Sequence, residues 1–348
     1  MPIKRKKTKI VKVGKVCIGG GSPISVQSMV KVKTSKVNRV IDEINSLEDT
    51  GCDILRLAIK DKSDAIAIKR IKRKVRVPLV ADIHFDYRLA LISIESGVDK
   101  VRLNPGNIYK KEEVYQVVRE LKSAKLPLRI GVNSGSVKEG SSSMPERLVK
   151  SALAYIKMVE GFNFHDIIIS LKASSIEDTL LAYRKISKLC DYPLHLGVTA
   201  TGPSYSGLVK SAVALGTLLL EGIGDTIRVS LTDKPLREVY AAKEILKSLS
   251  LRSYGPEIIS CPTCGRCEVN LIKLVNEFEE KVSKLKAKPL KIALMGCVVN
   301  GPGEAREADL GVAFGRKEGL IFKKGKATKK IEFSNCIKYL LKEIEERR

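Results

Sequence analysis

Between about residue 24 and residue 250 the chain repeats one unit, a short β-branched or apolar run followed by a segment with apolar residues three and four apart. The runs are Ile24–Met29, Asp53–Ala58, Pro78–His84, Lys100–Asn104, Pro127–Asn133, Asp166–Leu171, Pro193–Thr199 and Asp225–Leu231. Strands that read as nearly continuous apolar runs are buried on both faces, and helices between them demand parallel pairing through right-handed crossovers. Eight such units predict an α/β fold, a (β/α)8 TIM barrel over residues 1–252. The pattern stops between residues 250 and 260, with Ser253–Pro256 as the expected hinge. Beyond it, Glu268–Ala287 and Ile337–Arg348 read as helices, and Leu290–Met295, Leu310–Phe314 and Gly319–Phe322 as strands. They predict a second, small α+β domain over residues 253–348.

That second part carries five of the eight cysteines, four of them in Cys261-Pro-Thr-Cys264-Gly-Arg-Cys267 and Gly296-Cys297-Val-Val-Asn-Gly-Pro-Gly-Glu304. Thiolates two residues apart converge on one soft metal centre, and glycine lets the backbone approach closely. Three donor sets are open on spacing alone. Cys261, Cys264 and Cys267 with Cys297 suit an iron–sulfur run, the same four suit zinc, and Cys261, Cys264 and Cys297 with Glu304 make a set of three thiolates and one carboxylate. A disulfide framework is disfavoured, because 348 residues bury a core without staples and no apolar segment follows the basic start as a signal peptide would. No run reaches the length of a transmembrane span. The expectation is a cytoplasmic protein in a reducing compartment, with Cys17, Cys52, Cys190 and Cys336 as packing residues.

Net charge is +24. Part of the excess is the start Lys4-Arg5-Lys6-Lys7, and part is Lys69-Arg70-Ile71-Lys72-Arg73-Lys74, whose expected place is the solvated face of a helix. Such charge attracts nucleic acid, acidic proteins or phosphorylated compounds without choosing among them.

In a barrel the chemistry gathers where the strands end. Arg56 ends the second run, Asp82 and His84 the third, Arg102 and Asn104 the fourth; Arg129 and Asn133 lie on the fifth, Lys172 follows the sixth, and Arg228 and Ser230 lie near the end of the eighth. Four arginines and a lysine on one mouth repel each other unless a multiply charged anion binds among them, and arginine's fork suits phosphate oxygens. The expected ligand is a small phosphorylated or diphosphorylated compound. Asp82-Ile-His84 puts both polar side chains on one face, where they can share a proton. His195 is expected to fill the barrel and His165 to lie in a loop.

Four segments together resemble the bacterial 4-hydroxy-3-methylbut-2-enyl diphosphate synthase family of the non-mevalonate isoprenoid pathway. They are Gly296–Glu304, Val80-Ala-Asp-Ile-His-Phe-Asp-Tyr-Arg-Leu-Ala90, Arg102-Leu-Asn-Pro-Gly-Asn107 and Gly222-Ile-Gly-Asp-Thr-Ile-Arg-Val-Ser-Leu231. The resemblance implies a barrel followed by an iron–sulfur domain, and a [4Fe-4S] cluster on Cys261, Cys264, Cys297 and Glu304, with Cys267 a bystander. It implies reductive ring opening and dehydration of 2-C-methyl-D-erythritol 2,4-cyclodiphosphate with two electrons from an acidic ferredoxin or flavodoxin. The family's diphosphate contacts fall on Arg56, Arg102, Arg129, Asn133, Lys172, Arg228 and Ser230, and its members are homodimers with sites built from both chains.

The chain departs from the family after its seventh strand, where Gly-Val-Thr-Glu-Ala-Gly becomes Gly197-Val-Thr-Ala200-Thr-Gly202. Met29–Lys33 and Ile59–Asp61 differ as well. Alanine donates no proton, so Asp82, His84 or a water on Thr199 or Thr201 is the expected substitute acid. An impaired relative that binds the diphosphate is the alternative reading, and a basic nucleic-acid-binding protein with structural zinc a remote one.

Overall fold

The computed structural model describes residues 3–283, 285, 287–299 and 301–347. The chain divides into two compact units, Met1–Arg252 and Ser253–Arg348.

The first unit opens on a hairpin of β1 (Val11–Val13) and β2 (Val16–Ile18). The eight apolar runs follow as β3 (Ser25–Met29), β4 (Ile54–Ile59), β5 (Leu79–Ile83), β6 (Lys100–Leu103), β7 (Leu128–Asn133), β8 (Ile167–Lys172), β9 (His195–Leu196) and β10 (Thr226–Ile227). They pair in parallel in the order β8-β7-β6-β5-β4-β3-β10-β9, and a bridge between Ile169 and Leu194 joins the two ends into a TIM barrel. Between and after the strands run α1 (Val37–Asp49), α2 (Lys62–Lys72), α3 (Tyr87–Glu95), α4 (Lys111–Ala124), α5 (Met144–Glu160), α6 (Ile176–Leu189), α7 (Ser204–Leu220) and α8 (Pro235–Ser248). Their buried stripes follow the 3.6 period, as Val114, Val117, Val118 and Leu121 do on α4. Asp61 and Ser175 start α2 and α6 by accepting from backbone N–H groups three residues on. On α2, Lys69 and Arg70 face solvent while Ile68 and Ile71 are buried, the solvated face expected of that basic run.

Strands β9 and β10 are shorter than their runs. The β9 ladder stops at Gly197, where an added Cβ would stand 2.8 Å from Lys172 Nζ and 3.0 Å from the Arg228 carbonyl. The Lys172 side chain and the Arg228 backbone occupy the space beside it.

The hairpin β1–β2 was not legible as part of the repeat. Val11, Val13 and Ile18 pack with Ile54, Val80 and Ile168, near the strand starts, and plug the N-terminal end of the barrel. Cys17 corrects an expectation: it is exposed, because the period of two that buries Val11, Val13 and Ile18 turns Lys12 and Cys17 outward as a pair. Cys52 and Cys336 are buried, and Cys190 is half-buried. The basic start is partly engaged by the barrel, since Arg5 bonds the Ser22 carbonyl and Asp225, and Lys6 bonds the carbonyls of Ser187 and Cys190.

The second unit is a five-stranded sheet of β11 (Glu257–Ser260), β12 (Lys291–Met295), β13 (Leu310–Phe314), β14 (Glu318–Lys323) and β15 (Lys326–Glu332), in that order. The first three strands are parallel and the last two antiparallel. Helix α9 (Leu271–Ser283), the single turn α10 (Gly301–Glu304) and α11 (Phe333–Glu345) complete it. Phe278, Val282, Ile292, Leu294, Val312, Phe314, Leu340 and Ile344 form the core between sheet and helices. Helix α9 begins three residues later than its charged and apolar pattern suggested, because Asn270 caps it by accepting from Lys273 N. Lys284, Lys286 and Arg348, at the ends of the expected helices, lie outside the described residues. Strand β15 was missed because Lys-Ala-Thr-Lys-Lys-Ile-Glu is an exposed edge with no buried alternate face. Among the described residues no helix is long and apolar enough to cross a membrane.

Candidate active site

Strand alternation turns every second residue into the barrel, and at the C-terminal ends those residues are ionic. Arg56, Asp82, His84, Arg102, Arg129, Asn133, Lys172, Arg228 and Ser230 line one cavity of about 200 Å³, together with Met29, Ser170, Val198 and Thr199. Asp82 organises its floor. Arg102 Nη1 donates to Asp82 Oδ1 at 3.0 Å, Arg56 Nε stands 3.6 Å from Oδ2, and His84 Nε2 lies 3.3 Å from Oδ2. His84 Nε2 also lies 3.3 Å from Arg102 Nη1. One ring nitrogen either donates to the carboxylate or accepts from the guanidinium, so this histidine has two available hydrogen-bond states.

Charge is unbalanced here. The lining holds four arginines and a lysine against one carboxylate. Burial alone would push the Asp82 carboxyl up, but Arg56, Arg102, the His84 hydrogen bond and Arg129 outweigh it and hold the group well below the usual carboxylate range. Burial, then the charges of Arg56, Arg228, Arg129 and Arg102, pulls the Lys172 ammonium well below its ordinary value. Arg129 is 1% exposed, and its Nε and Nη1 have no partner among the described residues. Unpaired guanidinium N–H groups aimed into a polar cavity are anion receptors.

Asn104, expected at the mouth, is not part of that lining. Its side chain exchanges hydrogen bonds with Ser136 at 3.0 and 3.1 Å and accepts from Gly106 N, so it ties the loop after β6 to the turn Ser134–Ser136. Glu238 on α8 escaped sequence reading. It is 1% exposed, accepts from Leu231 N, and pairs with Arg228 at 3.3 Å and Lys31 at 3.1 Å. An acidic residue in a helix's first turn reads as an ordinary dipole partner, so nothing in the sequence marked it. The two unusual loops are joined by an ion pair between Lys33 and Asp61. Ala200 is exposed, with φ +52°, and Thr201 donates to the Ser230 carbonyl. His195 is fully buried inside the barrel, and His165 sits 3.3 Å from the Tyr192 hydroxyl.

In the second unit, Cys261, Cys264, Cys297 and Glu304 line a cavity of about 160 Å³ with Thr263, Arg266, Met295 and Gly301. Among the described residues no three His, Cys, Asp or Glu side chains are drawn tightly enough together to hold a metal ion as they stand. The donor set nevertheless fits an iron–sulfur group in kind, with soft sulfurs and one exchangeable oxygen around a single cavity. Gly296 N donates to Cys261 Sγ at 3.3 Å. Cys267 is outside the lining. Its thiol donates to the Val269 carbonyl and packs on Gly296, where a Cβ would stand 2.5 Å from the sulfur.

Residues 8–243 match the family model for the GcpE TIM-barrel domain, and residues 257–346 match the GcpE protein C-terminal domain. A protein of Ruminiclostridium cellulolyticum named 4-hydroxy-3-methylbut-2-en-1-yl diphosphate synthase (flavodoxin) is 54% identical over 99% of both chains. The protein of that name from Fusobacterium nucleatum is 52% identical over 98% of both, and that from Bacillus subtilis is 49% identical over 98% of this chain and 92% of its own. Among solved structures, dihydropteroate synthase from Stenotrophomonas maltophilia superposes on 70% of this chain and 98% of its own with a TM-score of 0.55. At 12% identity that likeness concerns the barrel fold alone.

Proposed function

The chain belongs to the GcpE family, and from that membership we propose that it is a 4-hydroxy-3-methylbut-2-en-1-yl diphosphate synthase. In this reading it converts 2-C-methyl-D-erythritol 2,4-cyclodiphosphate, by ring opening and loss of water, into (E)-4-hydroxy-3-methylbut-2-enyl diphosphate. Flavodoxin supplies the two electrons, as the relatives' names indicate for those proteins. The observation that carries the reading is the barrel mouth, whose arginines, lysine and lone carboxylate match a compact dianion.

Arg56, Arg102, Arg129, Lys172 and Arg228 hold the diphosphate oxygens, with Asn133 and Ser230 as neutral donors. Burial of Arg102, Arg129 and Lys172 strengthens the contacts they make. Cys261, Cys264, Cys297 and Glu304 would hold a [4Fe-4S] cluster, which would supply single electrons and Lewis acidity. The departing hydroxyl needs a proton. Asp82 is held as a carboxylate by its two arginines, so it is a poor donor and acts as the charge partner that fixes Arg102 and His84. His84, half-exposed and able to change hydrogen-bond partner, is the acid in this proposal. The reading carries a homodimer as well, which sedimentation of the purified protein tests.

Anaerobic turnover of the cyclodiphosphate by reconstituted protein with a strong one-electron donor tests the function. Formation of the linear diphosphate is expected. Protein with full iron and sulfide content that forms none of it would overturn the reading.

A further inference from the structure

Beneath the mouth the barrel interior is polar and unpaired. Lys100, the first residue of β6, is 0% exposed, and its ammonium nitrogen has no hydrogen-bond partner among the described residues. Ser25 Oγ, both polar atoms of the Gln27 side chain, and His195 Nε2 are buried and unpartnered in the same way. The alternation that sends Arg102 to the mouth sends Lys100 to the same side of β6, two residues deeper. Its register neighbour on β5, Val80, belongs to the apolar cluster through which the β1–β2 hairpin closes the barrel. The ammonium therefore lies between an apolar floor and a cationic mouth.

The charges around it can be read strand by strand. Strand β3 offers only the neutral Ser25 and Gln27; β4 offers Arg56, β5 Asp82, β6 Arg102, β7 Arg129, β8 Lys172, β9 His195, and Arg228 follows β10. The only carboxylate in that set is already engaged by Arg102 and Arg56. A buried cation in such a field is costly unless it sheds its proton, and lysine can do so where arginine cannot. Burial, then Arg129 and Arg56, pulls the Lys100 ammonium well below its ordinary value. A dianion among the arginines offsets two of those positive charges and weakens the field that opposes the ammonium.

We propose that Lys100 is neutral in the ligand-free barrel and takes up a proton from solvent when a diphosphate enters the mouth above it. Only the Nζ–H bond forms, and the ammonium then faces the ligand's negative charge from below, in the field that the ligand has weakened. The proposal rests on the mouth being a diphosphate site. Affinity should weaken as pH rises through the window where the coupled proton is missing from the free protein, by up to about tenfold per pH unit.

The test is calorimetric titration of the full-length protein without reductant, in two buffers of different ionisation enthalpy at one pH. The ligands are the cyclodiphosphate and P1,P2-dimethyl diphosphate, neither of which titrates near neutrality. Binding heat should differ between buffers with the sign of proton uptake, and Lys100→Met should lose that difference while still binding. Lys100→Gln serves if methionine disturbs the fold. A wild type that binds without uptake, or a Lys100 variant that keeps it, would overturn the proposal. Binding of the dimethyl compound alone would remove the cyclodiphosphate reading and leave the Lys100 question decided by the same heats; binding of neither would overturn both.

Discussion

At the scale of residues, the site carries an excess of positive charge that one carboxylate, Asp82, offsets only in part. Asp82 is 3% exposed and touches Arg102, Arg56 and His84. Removing one member of a buried ion pair leaves the others uncompensated, so Asp82→Asn should cost about 3–5 kcal/mol, read as a lower thermal midpoint. Its pH signature has a definite sign. The folded-state value lies well below the unfolded one, so the stabilisation is complete above about pH 4 and is lost as pH falls through the folded value. Asp82→Asn should lack that component of the acid-side loss. His84 gives a kinetic counterpart: His84→Gln should lower kcat by about 10²-fold with little change in KM. In an Ala200→Glu background the same change should cost less, because the glutamate offers a second acid. Equal losses in both backgrounds would show that the two positions do not share the proton. Most of these residues were legible, because a strand's end and its period of two are written in the sequence. Glu238 and Lys100 were not, since their roles depend on which buried groups face them across the barrel.

At the scale of elements, the strands supply space as well as charge. Gly131 lies on the inward face of β7, between Arg129 and Asn133, and an added Cβ there would stand 2.4 Å from Arg102 Nε. Gly197 does the same beside Lys172, at 2.8 Å from its Nζ. Both glycines have ordinary backbone angles, so room is what they provide. Gly131→Ala should push the Arg102 guanidinium away from Asp82 and from the Gly131 carbonyl, to which it donates at 2.7 Å. The expected result is a loss of about tenfold or more in diphosphate affinity, roughly 1.4 kcal/mol, with a smaller effect on the thermal midpoint. Unchanged affinity would show that Arg102 reaches the ligand from another rotamer. The eight strands themselves were readable, because burial on both faces makes each a short apolar block. The hairpin plug was not. Its three-residue strands are below the length at which periodicity can be recognised, and only the barrel's open end gives them something to pack against.

At the scale of the whole molecule, the two kinds of positive charge should separate under salt. The mouth cations are buried, with Arg102 and Arg129 at 3% and 1% exposure, whereas most of the net +24 is carried by exposed lysines and arginines such as those of α2 and β15. Screening acts strongly on exposed charges, since the Debye length falls to about 3 Å at 1 M salt, and weakly on desolvated ones. An acidic flavodoxin meets the exposed set during diffusional encounter, so its association rate should fall about tenfold or more between roughly 0.05 and 0.5 M salt. A small neutral one-electron donor meets no such field. Turnover with that donor should change far less across the same range, because the buried mouth cations are weakly screened. The comparison therefore assigns the charge: a steep salt slope with flavodoxin and a shallow one with the small donor places the surface lysines in electron delivery. Parallel slopes would mean that salt acts at the mouth, and the basic surface would then have no part in choosing the donor.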